Sequence, residues 1–369
     1  MIQPANSIEI QEGATRFFVP KAHSVKGPGK RVGRVFFNSQ MAFNRDITVA
    51  FFRTLDFKGR KALDAMAATG ARGIRIANEV RGGFELTLND RDAEALEHIQ
   101  ANIELNGLQS ICTANHEDLR CHLAKKVYDY IDIDPFGTPA PFMQASLQGL
   151  KRNGILAITA TDTAPLAGTH GRKCERRYMA RPLRSPFCHE TGLRILIGYI
   201  AREAAQLDKG IEPLLCFYAD HYFRCYLRVK DSAAAAEESL GKLGYLTYDP
   251  VTHERGFTKE FQERAYGPMW GARTIDHELT ARMCADETLA QRERCAKYIE
   301  LWRNELDIPH FYESNELSSM LKLSPPVLDR LIERLNHSGR ASKTHFSPSG
   351  FKTDIPLDEL LRLYPDMTA

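Results

Sequence analysis

Between residues 61 and about 160, apolar positions come in short runs, each followed by a polar turn and then a segment of helical spacing. Lys61-Ala62-Leu63 leads into Asp64, and a helical stretch through Ile74 and Ala77 follows. Phe84 to Leu88 leads to Asn89-Asp90, and the helix from Asp92 to Leu105 stops at Asn106-Gly107, a C-terminal cap signal. Ile111 to Ala114 leads towards Asp118, Tyr128 to Ile133 leads to Asp134, and Gly154 to Thr159 leads to Asp162. Strands alternating with helices predict a doubly wound parallel sheet, α/β in class. An acid closes or closely follows each strand in turn, a regularity that a random surface does not produce.

The flanks read differently. Residues 1–55 mix short strand-like pieces with the loop Lys26-Gly27-Pro28-Gly29-Lys30, then a helix-like segment from about Met41 to Leu55. A helix near 190–206 and strands Ile211–Tyr218 and Tyr222–Val229 complete the first domain. At Asp231-Ser232-Ala233 the texture shifts to an Ala/Glu-rich helix, which sets domains at 1–230 and 231–369. Residues 278–306 read as one long helix bearing Leu279, Met283, Ile299, Trp302 and Leu306. Next, Glu316–Leu323 and a helix opened by Ser324 as N-cap and Pro325 as first residue form a helix-turn-helix pattern. Arg340–Lys352 follows as a β-hairpin wing. The second domain is thus a smaller α+β unit with a winged-helix-like end, and the same pattern also fits a packing domain without a ligand.

The 369 residues suffice for two or three cored domains, and 43% hydrophobic with 26% charged residues is ordinary for a soluble protein. A net charge of +2 says nothing about partners. Local charge does: 170–184 carries Arg172, Lys173, Arg176, Arg177, Arg181 and Arg184 against Glu175 alone. Residues 21–34 carry Lys21, Lys26, Lys30, Arg31 and Arg34 with no acid. The 8 cysteines are scattered without the close pairs of zinc sites and read as reduced thiols. The start shows no signal-peptide pattern, and no apolar segment approaches the ~18–20 residues of a membrane span. A cytoplasmic protein with no metal and no membrane contact is expected.

The first strand-to-helix turn, Asp64 to Gly73, bears glycine but lacks the G-x-G-x-x-G fingerprint of dinucleotide binding. A nucleoside cofactor without phosphates needs only a close backbone approach, which Gly70 allows. Asp90, closing the second strand, suits the ribose hydroxyls, and Asp118 suits the adenine amine. With Asp64 before the turn, these acids fit S-adenosylmethionine, although each alone is as well a loop cap. Asp134-Pro135-Phe136-Gly137 ends an apolar strand where ligands of open sheets sit. An acid followed by Pro135 and Phe136 suits a flat nitrogen base and its exocyclic amine. A plain turn, with Asp134 capping and Phe136 in the core, fits those residues equally well.

Ordered motifs then run almost the length of the chain: Gln11-Glu12-Gly13, Phe36-Phe37-Asn38, Met41 to Asp46, Ala68 to Arg75, Asp132 to Gly137 and Thr159 to Asp162. They continue with Cys188-His189-Glu190, Asp220 to Arg224, Ala265 to Trp270 and Thr344 to Gly350. In these the chain resembles the tRNA (guanine-26-N2)-dimethyltransferases of archaea and eukaryotes. The resemblance implies a Rossmann-like S-adenosylmethionine-dependent methyltransferase domain followed by a tRNA-binding one. It implies Arg45 and Arg72 at the methionine end of the cofactor, Asp90 and Asp118 on the adenosine, Asp134 as the catalytic residue, and Phe36 and Phe136 flanking the guanine. The tRNA body is then expected on Arg172, Lys173, Arg176, Arg177 and Arg181, on the 21–34 run, and on the wing through Lys343 and His345, with no obligate protein partner. Two departures stand out: Tyr245–Thr258 lacks the cysteines of a zinc site that some members carry, and Thr138 replaces a frequent serine. Competing readings are a methyltransferase acting on adenine N6 or on an rRNA guanine, and a catalytically silent RNA-binding protein of the same fold.

Overall fold

The computed structural model describes residues 2–24, 33–80 and 82–367. Lys26, Lys30 and Arg31 of the N-terminal basic run lie outside the described residues. A hairpin of β1 (Ser7–Glu12) and β2 (Thr15–Pro20) precedes α1 (Ala42–Phe52), which is buried along its whole length. The alternating pattern then yields β3 (Lys61–Asp64), α2 (Ala71–Glu79), β4 (Glu85–Asp90), α3 (Ala93–Leu105), β5 (Cys112–His116), α4 (Leu119–Leu123), β6 (Tyr128–Ile133), α5 (Met143–Gln148) and β7 (Leu150–Ala160). Asp92 caps α3 by accepting from the Glu94 amide, and Gly107, at φ +65°, follows its end, as the Asn-Gly signal predicts.

Past β7 come α6 (Thr163–Leu166), α7 (Gly171–Tyr178), α8 (Cys188–Ala205), β8 (Lys209–Ala219) and β9 (Tyr222–Asp231). The seven-stranded sheet has the order β5-β4-β3-β6-β7-β9-β8. Strands β5 to β7 are mutually parallel, whereas β9 runs antiparallel to both β7 and β8. The reversal follows from a two-residue connection, Asp220-His221, too short for a parallel crossover. Strand order switches direction between β3 and β6, and a crevice opens there at the carboxyl ends. Successive residues alternate between two cores: Tyr130, Ile155 and Ala157 belong to one face, and Ile131, Leu156 and Ile158 to the other.

The remaining elements are α9 (Ala233–Leu240), β10 (Leu243–Tyr248), β11 (Arg255–Thr258), β12 (Tyr266–Trp270), α10 (His277–Arg282), α11 (Arg292–Asn304), β13 (Tyr312–Glu313), α12 (Ser314–Leu321), α13 (Leu328–Leu335), β14 (Ala341–Lys343), β15 (Gly350–Thr353) and α14 (Leu357–Leu363). The single helix expected over 278–306 is two, α10 and α11. Met283 turns extended (φ −69°, ψ 140°), and Asp286 accepts from the Thr288 amide instead of supporting a helix. Asp46 of α1 then takes the amides of Ala290 and Gln291 at 3.1 and 2.6 Å, so a distant buried acid sets where α11 begins. The helix expected to open at Ser324-Pro325 begins at Leu328, because Pro326 forbids Pro325 a helical ψ.

Tertiary packing crosses residue 231. Ile299 and Trp302 join the first core face, and Met269, Trp270, Phe311 and Phe346 the second. A separate core forms only around Leu317, Leu331, Leu335, Phe351, Leu360 and Tyr364, the helix-turn-helix with its three-stranded wing β13-β15-β14.

Candidate active site

The crevice at the strand switch is a cavity of about 530 Å³, within the range of a cofactor-sized site. Its lining includes Asp64, Asp90, Asp118, Asp134, Arg45, Arg72, Phe36, Pro135 and Phe136, so residues from seven separate stretches of sequence converge. Asp162, the fifth strand-end acid, is not part of it; it faces Arg177 and Tyr178 instead.

On the cofactor side, Gly70 stands at φ +79° as the N-cap of α2, a conformation that a side chain would strain. A Cβ on Gly73 would meet Leu88 Cδ2 at 2.9 Å, so glycine there lets α2 lie close on the sheet. Asp64 is buried and accepts the Gly73 amide at 3.0 Å. Burial, then the charge of Asp132, push its carboxyl up to about 7, against the pull of Arg72 and the Gly73 amide. Asp90 accepts the amides of Ala68 and Asp92 at 2.9 and 3.0 Å, one on each oxygen. A carboxylate has about four lone-pair sites, so two stay open for hydroxyls. Asp118 caps α4 and pairs with Arg120 at 3.0 Å at the surface, a pairing weak enough to exchange for a ligand amine.

On the substrate side, Asp134 follows β6 directly, with its side chain 24% exposed, and Arg72 pairs with it. Arg72 also donates to Asn44 and Thr48 of α1 at 2.6 and 2.8 Å and lies 3.6 Å from Asp132. Asp132 is fully enclosed, bound by Arg224 at 2.8 Å and by the Tyr130 hydroxyl at 2.7 Å. Burial would raise its pKa, but Arg224 and Arg72 outweigh burial and hold it below the usual carboxylate range. Phe36 and Phe136 meet edge to face, with centroids 4.6 Å apart, and Phe136 is 56% exposed. Phe136 is therefore not a core residue.

Arg45 lines the cavity in a more restricted way than a guanidinium free for bidentate binding. Its Nε and Nη2 grip Glu12, each at 2.6 Å, and Nη2 also donates to the Asn38 carbonyl at 3.1 Å. Only Nη1 remains without a hydrogen bond among the described residues.

The basic segment forms α7, with Arg172 and Arg176 exposed, Lys173 half-buried and Arg177 paired with Asp162 at 2.8 Å. Exposed Arg181 donates to the Glu263 carbonyl at 2.9 Å and covers the Tyr266 ring. Lys343 is at the surface, paired with Asp329. His345 corrects its expectation: it is buried, Nδ1 lies 2.6 Å from Glu305, and Nε2 accepts from the Tyr218 amide at 3.4 Å. Lys352, on β15 of the same wing, is buried between Glu190 and Glu305 at 3.2 and 3.1 Å. These two residues dock the wing on the sheet domain and face no solvent.

Sequence reasoning missed Asp132 and Glu12 as site supports. Asp132 carried a legible signal, since it lies near the end of β6 two residues before Asp134, and both reach Arg72. Glu12 stood in the Gln11-Glu12-Gly13 motif, but nothing local joined it to Arg45, 33 residues away. Among the described residues no group of three or more His, Cys, Asp or Glu side chains is placed to hold a metal, and no helix is long and apolar enough to cross a membrane.

A family model for the N2,N2-dimethylguanosine tRNA methyltransferases matches residues 13–364. A Pyrococcus abyssi protein named tRNA (guanine(26)-N(2))-dimethyltransferase is 39% identical over 374 residues, covering 95% of this chain and 97% of its own. One of that name from Methanoculleus marisnigri is 36% identical over 371 residues, covering 96% and 97%. A solved structure of Trm1 from Pyrococcus horikoshii with S-adenosyl-L-methionine superposes with a TM-score of 0.88 at 38% identity, covering 98% of this chain and 99% of its own.

Proposed function

This chain belongs to the N2,N2-dimethylguanosine tRNA methyltransferase family, and on that premise we propose that it methylates the exocyclic N2 of guanine 26 in tRNA. The product is N2,N2-dimethylguanosine, made with S-adenosylmethionine as methyl donor. The observation that carries this reading is likeness over nearly the whole chain together with an aspartate and an exposed aromatic at the mouth of a cofactor-sized cavity.

The residues present fit S-adenosylmethionine, which supplies a sulfonium-bound methyl. Asp90 offers its spare lone pairs to the ribose hydroxyls, Asp118 receives the adenine amine, and the Gly70 turn lets the backbone come close. Asp64 orders that turn through the Gly73 amide. Arg72, and Arg45 through Nη1, face the cofactor carboxylate.

Guanine N2 is a weak nucleophile because its lone pair is delocalised into the ring. Asp134 accepts hydrogen bonds from the amine and would take the proton that N2 sheds as the methyl passes from sulfur to nitrogen, the S–C bond pair staying on sulfur, help worth roughly 10²–10⁴-fold. Arg72, anchored on α1 and Asp132, fixes where that carboxylate points. The base must leave its stack at a cost of about a few kcal/mol. Stacking on Phe136, with Phe36 moving aside from its edge contact, returns ~1–3 kcal/mol per ring. Pro135 stiffens the turn beneath.

Residues 231–369, together with α7, supply the tRNA-binding surface. Arg172, Lys173 and Arg176 meet phosphates, Arg181 and Lys343 join after exchanging their protein partners, and Arg177 keeps its pair with Asp162 while adding to the positive field of α7. The protein works in the cytoplasm, where tRNA is processed.

Asp134→Ala should bind cofactor and tRNA normally yet transfer little methyl. Mass spectrometry of nucleosides from the treated tRNA reads the result. Wild-type formation of N2,N2-dimethylguanosine by that variant would show that Asp134 is not catalytic. Methyladenosine from the unaltered enzyme would overturn the substrate assignment.

A further inference from the structure

Helix α7 does more than present positive charge. Its last residue, Tyr178, turns inward and is fully buried. The Tyr178 hydroxyl donates to Asp162 Oδ1 at 2.7 Å and lies 2.8 Å from the Thr138 hydroxyl. A phenol has one proton, and Asp162 receives it, so Thr138 must donate to the Tyr178 oxygen. Thr138 accepts in turn from the Ala140 amide at 3.3 Å. Burial pushes the Tyr178 phenol far above its ordinary range, so it stays a donor.

Both ends of this path are anchored. Asp162 Oδ2 accepts from Arg177 of α7 at 2.8 Å. Thr161, the neighbour of Asp162, clamps Gly137 in both directions: the Gly137 amide donates to Thr161 Oγ1 at 2.7 Å, and the Thr161 amide donates to the Gly137 carbonyl at 3.0 Å. The turn that carries Asp134 and Phe136 is thus tied at Gly137 and Thr138 to the end of β7 and to α7. Thr161 lines the cavity, whereas Thr138, Asp162 and Tyr178 lie outside its lining, so the hydroxyl path itself is not needed to enclose the cofactor.

We propose that Tyr178 is a positioning residue for methyl transfer: through Thr138 and Asp162 it couples the basic helix α7 to the turn bearing Asp134 and Phe136. Phosphates held by Arg172, Lys173 and Arg176 then bear on the same rigid unit that meets the target base. The coupling needs only the hydroxyl of Thr138, which donates to the Tyr178 oxygen. It rests on the methyltransferase reading above.

The test is single-turnover methylation at saturating tRNA and cofactor, with the two dissociation constants measured separately. Tyr178→Phe and Thr138→Val should each slow the chemical step by about tenfold, as small misplacements of reacting groups do. Both dissociation constants should stay at wild-type values, and Thr138→Ser should keep the wild-type rate. The double variant should be no slower than the slower single, because both break one path. If Tyr178→Phe folds poorly, the half-buried Thr138 pair, Val against Ser, decides the matter alone. Wild-type rates for Thr138→Val and Tyr178→Phe, or equal losses for Thr138→Ser and Thr138→Val, would overturn the coupling. An unaltered enzyme that makes no N2-methylated guanosine would instead overturn the reading on which it rests.

Discussion

Replacing Asp132 with asparagine removes one negative charge from between two enclosed arginines while keeping the side chain's shape. The native carboxylate accepts from Arg224 at 2.8 Å and Tyr130 at 2.7 Å and faces Arg72 at 3.6 Å, with 1% of its surface exposed. Breaking such a buried pair by losing one partner costs about 3–5 kcal/mol, because the remaining charge stays desolvated. With roughly 2.1 cal/mol/K of unfolding entropy per residue, 369 residues give about 0.8 kcal/mol/K, so the melting temperature should fall by roughly 4–6 °C. Arg72 then keeps Asn44, Thr48 and Asp134 but loses the enclosed negative charge beside it, and methyl transfer should slow even where the protein is fully folded. Thermal melts beside single-turnover rates at 25 °C measure both effects. Arg340→Ala is the control, since its pair with Asp354 is 71% exposed on the arginine side and contributes at most about 1 kcal/mol. Asp132→Asn melting no lower than Arg340→Ala would refute the claim that this carboxylate neutralises the site.

Phe136→Ala should leave the melting temperature unchanged, since the ring is 56% exposed, and lower kcat/KM for tRNA by roughly 5- to 100-fold through lost stacking. Reversing Arg172 and Arg176 to glutamate should weaken tRNA binding and flatten its salt dependence, measured as the slope of log affinity against log salt. The seam that docks the wing should loosen on acidification. Burial lowers His310 to about 3, so between pH 6.5 and 3 the unfolded chain binds a proton that the folded chain refuses, and stability falls with pH. Burial would raise Glu305, but His345 and Lys352 outweigh burial and hold it at about 2, so its share of stability is present above about pH 4.5 and is lost below. Hydrogen-exchange protection, taken relative to the intrinsic rate at each pH, should fall at residues 310–353 between pH 7 and pH 4 before it falls in β6. A uniform loss of protection across the chain would contradict a local seam.

The central sheet was legible because its cause is local. Short apolar runs, segments of helical spacing such as Asp92 to Leu105, and an acid at each strand end are written in consecutive positions. The doubly wound order then places those ends together by connectivity alone. The ordered motifs added a substrate and a cofactor, and Asp64, Asp90, Asp118 and Asp134 do line one cavity. The break in the long helix was not legible, because its cause is Asp46, far away in sequence, capturing the amides of Ala290 and Gln291. His345 was expected on the tRNA-facing surface because its residue type suggests solvent. Only packing reveals the buried acid Glu305 beside it, with Lys352 enclosed between Glu305 and Glu190.

Local propensity and periodicity are properties of neighbouring residues, so the chain by itself determined the sheet, its strand-end acids and the turn at Asp134, though not the exposure of Phe136 there. Which charges pair, and therefore which remain free to meet a ligand, depends on groups brought together across tens to hundreds of residues. That choice among partners is electrostatic and steric, and only the tertiary structure decided it: Glu12 for Arg45, Asp132 for Arg224, and Asp162 for Tyr178.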